Sequence, residues 1–330
     1  MHALLIVNPN ATSTTPAGRD LLAHALSSRV RLTVTHTTHR GHAAELAARA
    51  RTDGVALIIV HGGDGTVNEV VNGLLGAPHP VSMRSVPAGP IPLVAVVPGG
   101  SANVFARSLG IAPDPVDATN QLIDLLAARR RRTIGLGHCD NRWFTFNAGM
   151  GLDAQVCEAV DHGRSAGQAV TPARYVRHAV RAFFRAKRAE PTLTVEVRGS
   201  RPEPFDGGEP EPFVADGVHY AFVSNSTPWT YLNKREVHTN PGTSFDGGLG
   251  LFAMRTTRVF ASLRVVRQLL STGLSPKSHS LIRFDDVSDI RIRASTPIGL
   301  QLDGDYIGLR SDVTFTAVPD ALTVVAPDAS

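Results

Sequence analysis

One stretch, Val55 to Leu74 (VALIIVHGGDGTVNEVVNGL), constrains this chain more than any other. Val55 to Val60 is apolar and mostly β-branched or aliphatic, a length that suits a strand buried on both faces. His61-Gly62-Gly63-Asp64-Gly65 then puts three glycines in four positions, where the backbone can bend sharply and lie close to a ligand. Thr66-Val67-Asn68-Glu69 spells a Thr-x-x-Glu capping box, which predicts a helix beginning at Thr66. Val67, Val70, Val71 and Leu74 recur at helical spacing and give that helix one buried face. A strand, a bare glycine turn and a capped helix start together make an anion site. First-turn N–H groups and the positive helix end point at the occupant of the turn, and phosphate is the usual occupant. The competing reading is a tight turn that binds nothing.

Two familiar phosphate loops are excluded by spacing. A Walker loop ends in Gly-Lys-Ser/Thr, and no lysine stands near this turn. The dinucleotide fingerprint G-x-G-x-x-G needs glycine where this chain has Asn68.

The 330 residues suffice for two domains, each with its own core. No run of eighteen apolar residues exists, so no spanning helix is expected. Met1 to Val7 is a short apolar strand interrupted by His2, without the charged start and long apolar centre of a secretory signal. Cys139 and Cys157 make neither a disulfide framework nor metal-ligand spacing. The expected compartment is the cytoplasm. The net charge of +4 is unevenly spread, with arginine runs over Arg129 to Arg132 and Arg174 to Arg188. A basic balance suits nucleic acid, an anionic membrane surface or an anionic substrate; no nucleic-acid motif accompanies the runs, so nucleic acid is not expected as a partner.

Read in order, Ala3 to Val7 is a strand followed by the turn Asn8-Pro9-Asn10-Ala11-Thr12. A helix over Arg19 to Leu26, a strand over Val30 to Thr35, a loop containing Thr37 and a helix over His42 to Arg51 come next. After the glycine loop, Leu93 to Val97 is another buried strand. Pro98-Gly99-Gly100-Ser101 then turns into a helix over Ala102 to Leu109, and Asp117 to Ala128 is a further helix. Alternating strands and helices imply a doubly wound parallel sheet, whose ligands bind beyond the carboxyl ends of the strands. Asn8, Thr37, Gly62 to Thr66 and Gly99 to Ser101 all lie at such ends.

Beyond Arg132 the pattern changes to successive short strands: Arg142 to Phe146, Leu193 to Arg198, Val218 to Val223, Leu249 to Ala253, Leu281 to Phe284, Asp289 to Ile292, Ile298 to Leu302 and Val313 to Ala317. This predicts a mainly antiparallel sandwich over 133–319, with a last strand, Leu322 to Val325, returning to a first domain of residues 1–132. Gly199 to Gly217 reads as an exposed loop. Asp303-Gly304-Asp305 closes a strand-like run. If extended, it turns both carboxylates to one face, where one serves as a base and its neighbour holds it; the alternative is an Asp-Gly hairpin turn. Pro172 to Arg188 has an apolar face of Val176, Ala179, Val180 and Phe183 opposite five arginines, and Arg258, Arg264 and Arg267 sit on a helix over Thr256 to Ser271. Either helix could lie on anionic lipid.

The ordered set Asn8-Pro9, GGDGTVNE, PGGSAN, the Asp246 turn and Asp303-Gly304-Asp305 resembles the diacylglycerol kinase catalytic family, which includes sphingosine kinases and bacterial lipid kinases. The resemblance implies an α/β nucleotide domain with an all-β second domain, and ATP and Mg2+ as cofactors. Nucleotide contacts are implied for Asn8, Pro9, Asn10, Thr12, Thr37, Gly62, Gly63, Asp64, Gly65, Thr66, Asn68, Glu69, Gly99, Gly100, Ser101 (threonine in the family) and Asn103. It places the base at Asp303, with Asp305 in place of the family's glutamate, and a structural magnesium at Asp246 with carbonyls of Thr243 and Gly248. A peripheral, ATP-dependent kinase is implied, taking a lipid alcohol, diacylglycerol first, at an anionic membrane surface; a homodimer is left open. The rivals are a sphingoid-base or other lipid kinase, an NAD kinase sharing GGDGT, and a nucleotide- or lipid-binding module without catalysis.

Overall fold

Strand and helix alternate through the first third of the chain: β1 (His2–Val7), α1 (Pro16–Ser27), β2 (Arg31–His36), α2 (His42–Thr52), β3 (Leu57–Gly62), α3 (Asp64–Leu75), β4 (Leu93–Pro98), α4 (Val104–Ser108) and α5 (Pro115–Ala127). The four strands pair in parallel in the order β4-β3-β1-β2. This computed structural model describes residues 1–78, 89–151, 154, 192–199, 212–232, 235–269, 271 and 276–329. The basic helix expected over Pro172 to Arg188 lies outside the described residues, as does Cys157.

The chain divides into two compact units: residues 1–136, 141–143 and 319–330 form the first, residues 137–140 and 144–318 the second. In the first unit every residue of β3 is buried, as expected of a strand covered on both faces. Val67, Val70, Val71 and Leu74 of α3 are all buried, and each such side chain contributes about 1.5–3 kcal/mol. Pro16 opens α1 after an N-cap Thr15 whose hydroxyl accepts from Gly18 N–H, which starts the helix earlier than periodicity alone suggests. Asp114 caps α5 in the same way, ahead of Pro115.

The capping box does not form. The helix begins at Asp64, with Gly63 as its N-cap, and no side chain caps it. The N–H groups of Thr66 and Val67 both bond back to the Gly63 carbonyl, so Thr66 already lies inside the first turn. Glu69 reaches instead to the neighbouring helix, accepting from Gly41 N–H (2.9 Å) and Ala43 N–H (3.2 Å). It satisfies first-turn donors of α2, whose own N-cap, a left-handed glycine, has no side chain to do so.

The second unit is mainly antiparallel. Its strands are the end of β5 (Arg132–Cys139) and of β6 (Arg142–Phe144), then β7 (Asn147–Met150), β8 (Leu193–Arg198), β9 (Phe213–Val218), β10 (Tyr220–Ser224), β11 (Thr230–Leu232), β12 (Arg235–Val237), β13 (Leu249–Met254), β14 (Leu281–Val287), β15 (Asp289–Leu302) and β16 (Asp305–Val324). One helix, α6 (Val259–Leu269), stands among them in the described residues. Two separate sheets were expected; the large set is instead joined through β15, in the order β14-β13-β10-β7-β15-β16 with β8 and β9 branching from β15. The register of β15 shifts between Arg293 and Ile298, so its first half pairs β8 and its last residues pair β7. Both leaves share one core, from Leu193, Val195 and Val197 to Met150, Val223 and Leu251. The two strands read at Asp289–Ile292 and Ile298–Leu302 are therefore one. The last part of the loop read over Gly199 to Gly217 forms β9. The returning terminal strand is the tail of β16, where Val324 pairs Val94 and Val325 N–H bonds to the Val94 carbonyl (2.8 Å).

Candidate active site

At the carboxyl end of the parallel strands, the two glycine loops lie backbone against backbone. A Cβ on Gly100 would stand 2.7 Å from the Gly63 Cα, and one on Gly99 would stand 3.0 Å from the Gly62 Cα. These glycines therefore serve the close approach of two loops. Gly65 differs: it is exposed, opens α3, and a Cβ there would meet nothing within 4 Å. It is the one member of GGDG whose missing side chain leaves open space rather than contact.

The surrounding polar groups hold this geometry. Asp64 accepts from Val104 N–H (3.0 Å) and Phe105 N–H (3.1 Å), satisfying the start of α4. Asn103, with φ of 50°, folds the PGGS turn by accepting from Gly100 N–H and donating to the Gly100 carbonyl. Asn8 accepts from Asn10 N–H and donates to the Thr66 hydroxyl (3.0 Å), while Ser13 N–H bonds to the Gly99 carbonyl. Three of the four loops are thereby tied together. Asn10, Thr12 and Ser101 are exposed beside half-buried Pro9, whereas Thr37 is buried with its N–H on the Val7 carbonyl. Asn68 turns to β6: it donates to the Trp143 carbonyl and accepts from Arg142, with 1% exposure. Asn68 and Glu69 thus have partners within the first unit, in β6 and α2.

His61 was not singled out in the sequence, yet it pins this end of the sheet. Its Nδ1 lies 3.2 Å from the Val97 carbonyl and its Nε2 3.3 Å from the Thr14 hydroxyl. Burial pushes its pKa below the ordinary 6.5, more than the Val97 bond raises it, and Arg19 lowers it further. The folded protein then binds fewer protons here than the unfolded chain, so stability falls as pH drops below about 6.5. A His61→Gln variant should show a flatter dependence between pH 7.5 and 5.5 in urea denaturation, the difference reaching at most about 1.4 kcal/mol per pH unit. Parallel slopes would remove His61 as the cause.

In the second unit, Asp303-Gly304 is a two-residue hairpin turn, with φ of 49° and 83° and Leu302 paired to Asp305. The extended reading is corrected: Asp and Gly tolerate left-handed φ, so Asp303 sits in the turn itself and Asp305 opens the next strand, not two positions along one strand face. Asp303 is 7% exposed. Its Oδ2 accepts from Thr145 N–H (2.6 Å) and the Thr145 hydroxyl (2.7 Å), and its Oδ1 from Phe146 N–H (3.0 Å) and Asn147 N–H (3.1 Å). Burial raises the carboxyl above the ordinary carboxylate range, and these four donors offset only part of that rise. A carboxylate offers about four lone-pair positions, so all are engaged. Asn225 and Gln301 complete the buried network: Asn225 donates to the Thr145 carbonyl, Gln301 to Asn147 Oδ1. Nothing in the local sequence around Thr145 flags it as the partner of a residue so far along the chain. Asp305 is half-buried at the start of β16.

Asp246 is exposed in a turn closed partly by its own bonds, with Thr243 and Phe245 beside it buried. Asp246 N–H bonds to the Ser244 hydroxyl, Gly248 N–H donates to Asp286 Oδ1 (2.6 Å), and the Thr243 hydroxyl donates to Asp285. Among the described residues no group of three or more His, Cys, Asp or Glu side chains could hold a metal ion. A cation at this turn would rest on one carboxylate and two carbonyls.

Comparison with known proteins places these features in context. Residues 2–138 match the model of the diacylglycerol kinase catalytic domain. A protein of Chromohalobacter salexigens named "Probable lipid kinase YegS-like" is 24% identical over 316 residues, 96% of this chain and 90% of that protein. A Bacillus subtilis diacylglycerol kinase is 40% identical over 121 residues, which span 36% of this chain and 35% of that enzyme. In fold, the chain is similar to a diacylglycerol kinase of Bacillus anthracis, with a TM-score of 0.68 at 19% identity, covering 99% and 97% of the two chains.

Proposed function

We propose that this chain, whose residues 2–138 match the model of the diacylglycerol kinase catalytic domain, transfers the γ-phosphate of ATP to the primary hydroxyl of a lipid alcohol, with diacylglycerol giving phosphatidic acid. The observation that carries the nucleotide half is Gly65, the open glycine at the start of α3 beside the packed glycine loops. When bound, ATP with magnesium supplies the transferable group and the charge neutralisation that lets it leave. The amides that open α3, ahead of the Thr66 and Val67 N–H groups already bonded to Gly63, and the exposed Ser101 hydroxyl would receive phosphate oxygens. Asp64 and Asn103 keep both loops rigid, so the anion meets donors already in place. In the second unit, Asp303 clamps the turn and Asp305 takes the proton of the acceptor hydroxyl. A structural cation at Asp246, with carbonyls of Thr243 and Gly248, has no part in that step.

Incubation with labelled ATP, a lipid extract containing diacylglycerol and sphingoid bases, and NAD tests the reading. Labelled phosphatidic acid is the expected product; label on NAD alone, or on nothing, overturns it. Gly65→Ala tests the phosphate nest separately. With no steric neighbour and a helical environment, the variant should match or slightly exceed the stability of the parent. A methyl group in that space should weaken ATP binding by roughly tenfold or more, read by calorimetry. Unchanged affinity would leave the turn as a packing device only.

A further inference from the structure

Helix α6 carries two apolar faces. Val265 and Leu269 pack inward on a cluster of Tyr220, Phe222, Phe252 and Met254. Outward, Phe260, Leu263 and Val266 are 90%, 58% and 46% exposed. Their spacing of three residues puts them on one side of the helix. The helix is shorter than the expected Thr256 to Ser271; Arg264 and Arg267 on it and Arg258 just ahead of it are exposed, and no acidic residue occurs between Thr256 and Ser271.

We infer that this outer face docks on an anionic lipid surface. An apolar stripe flanked by cations and without carboxylates suits the boundary between acyl chains and anionic headgroups. A second copy meeting this face about a two-fold axis would set arginines against arginines, which opposes self-association here. The helix also rests on the layer that supports the Asp303 turn. Trp229 packs against the same aromatic cluster, its carbonyl accepts from Asn147 Nδ2, and the Asn147 N–H is one of the Asp303 donors. The inference deepens the lipid-kinase reading and rests on it for the purpose of docking, while its binding test stands alone.

The test is co-sedimentation of the whole protein with vesicles of phosphatidylcholine, alone or with roughly one-third phosphatidylglycerol. The parent should prefer the anionic vesicles and lose them as salt rises. Arg258→Gln/Arg264→Gln/Arg267→Gln should weaken that binding by roughly a hundredfold, at about fivefold for each arginine. Phe260→Ser/Leu263→Ser should lose it as well, and both variants should still phosphorylate a short-chain, water-dispersed diacylglycerol. Equal binding to both vesicles, no binding by the parent, or full binding by both variants would overturn the inference. So would a parent dimer that Phe260→Ser/Leu263→Ser dissociates in gel filtration, which would give the face to a second copy. Vesicle binding without any lipid phosphorylation would overturn the kinase reading and leave the docking intact.

Discussion

Asp303→Asn is expected to cost about 3 kcal/mol or more of unfolding free energy, measured by urea denaturation at neutral pH. Asparagine tolerates the left-handed backbone at this position, so the change isolates the side chain. Its amide oxygen can keep one pair of donors, Phe146 and Asn147. Its amide nitrogen must then face the Thr145 N–H, donor against donor, and the Thr145 hydroxyl alone can rotate to accept. The charge that strengthened all four bonds is lost at the same time. A loss below about 1 kcal/mol would mean that the clamp matters little.

Asp305→Asn should behave in the opposite way. Half-buried at the mouth of the same hairpin, it should leave stability within about 0.5–1 kcal/mol of the parent. If it receives the acceptor proton, kcat should fall by about 10²–10⁴, with little change in the KM for ATP. Asp303→Asn, by contrast, should lose activity together with structure. Should Asp305→Asn keep kcat within a fewfold of the parent, the proton role returns to Asp303, which must then release one of its four bonds.

Much of the first unit was legible in the sequence because its signals are local. The apolar run before His61 and the helical spacing of Val67, Val70, Val71 and Leu74 report burial directly. The capping box misled because Glu69 had a competing use: two backbone donors on α2, brought near by tertiary packing, outbid the donors of its own helix. The glycines were legible as a motif but not in their roles. Spacing alone cannot tell Gly100, which admits another backbone, from Gly65, which leaves space. In the second unit, Asp-Gly favours a hairpin turn but does not exclude an extended catalytic pair, and pairing between Leu302 and Asp305 decides for the turn. The network of Thr145, Asn147, Asn225, Gln301 and Asp303 had no sequence signature, since its members are scattered over the chain and meet only in the fold.

The tail of β16 has a consequence for biosynthesis. On the side of β4 away from β3, Val94 is paired by Val324, and its carbonyl takes the N–H of Val325, residues that follow the whole second unit in the chain. A nascent chain therefore emerges with Val94 lacking this second partner until almost all of the intervening segment has left the ribosome. During that interval this side of β4 is a template for foreign strands, so slow elongation through the second unit would favour aggregation of the first.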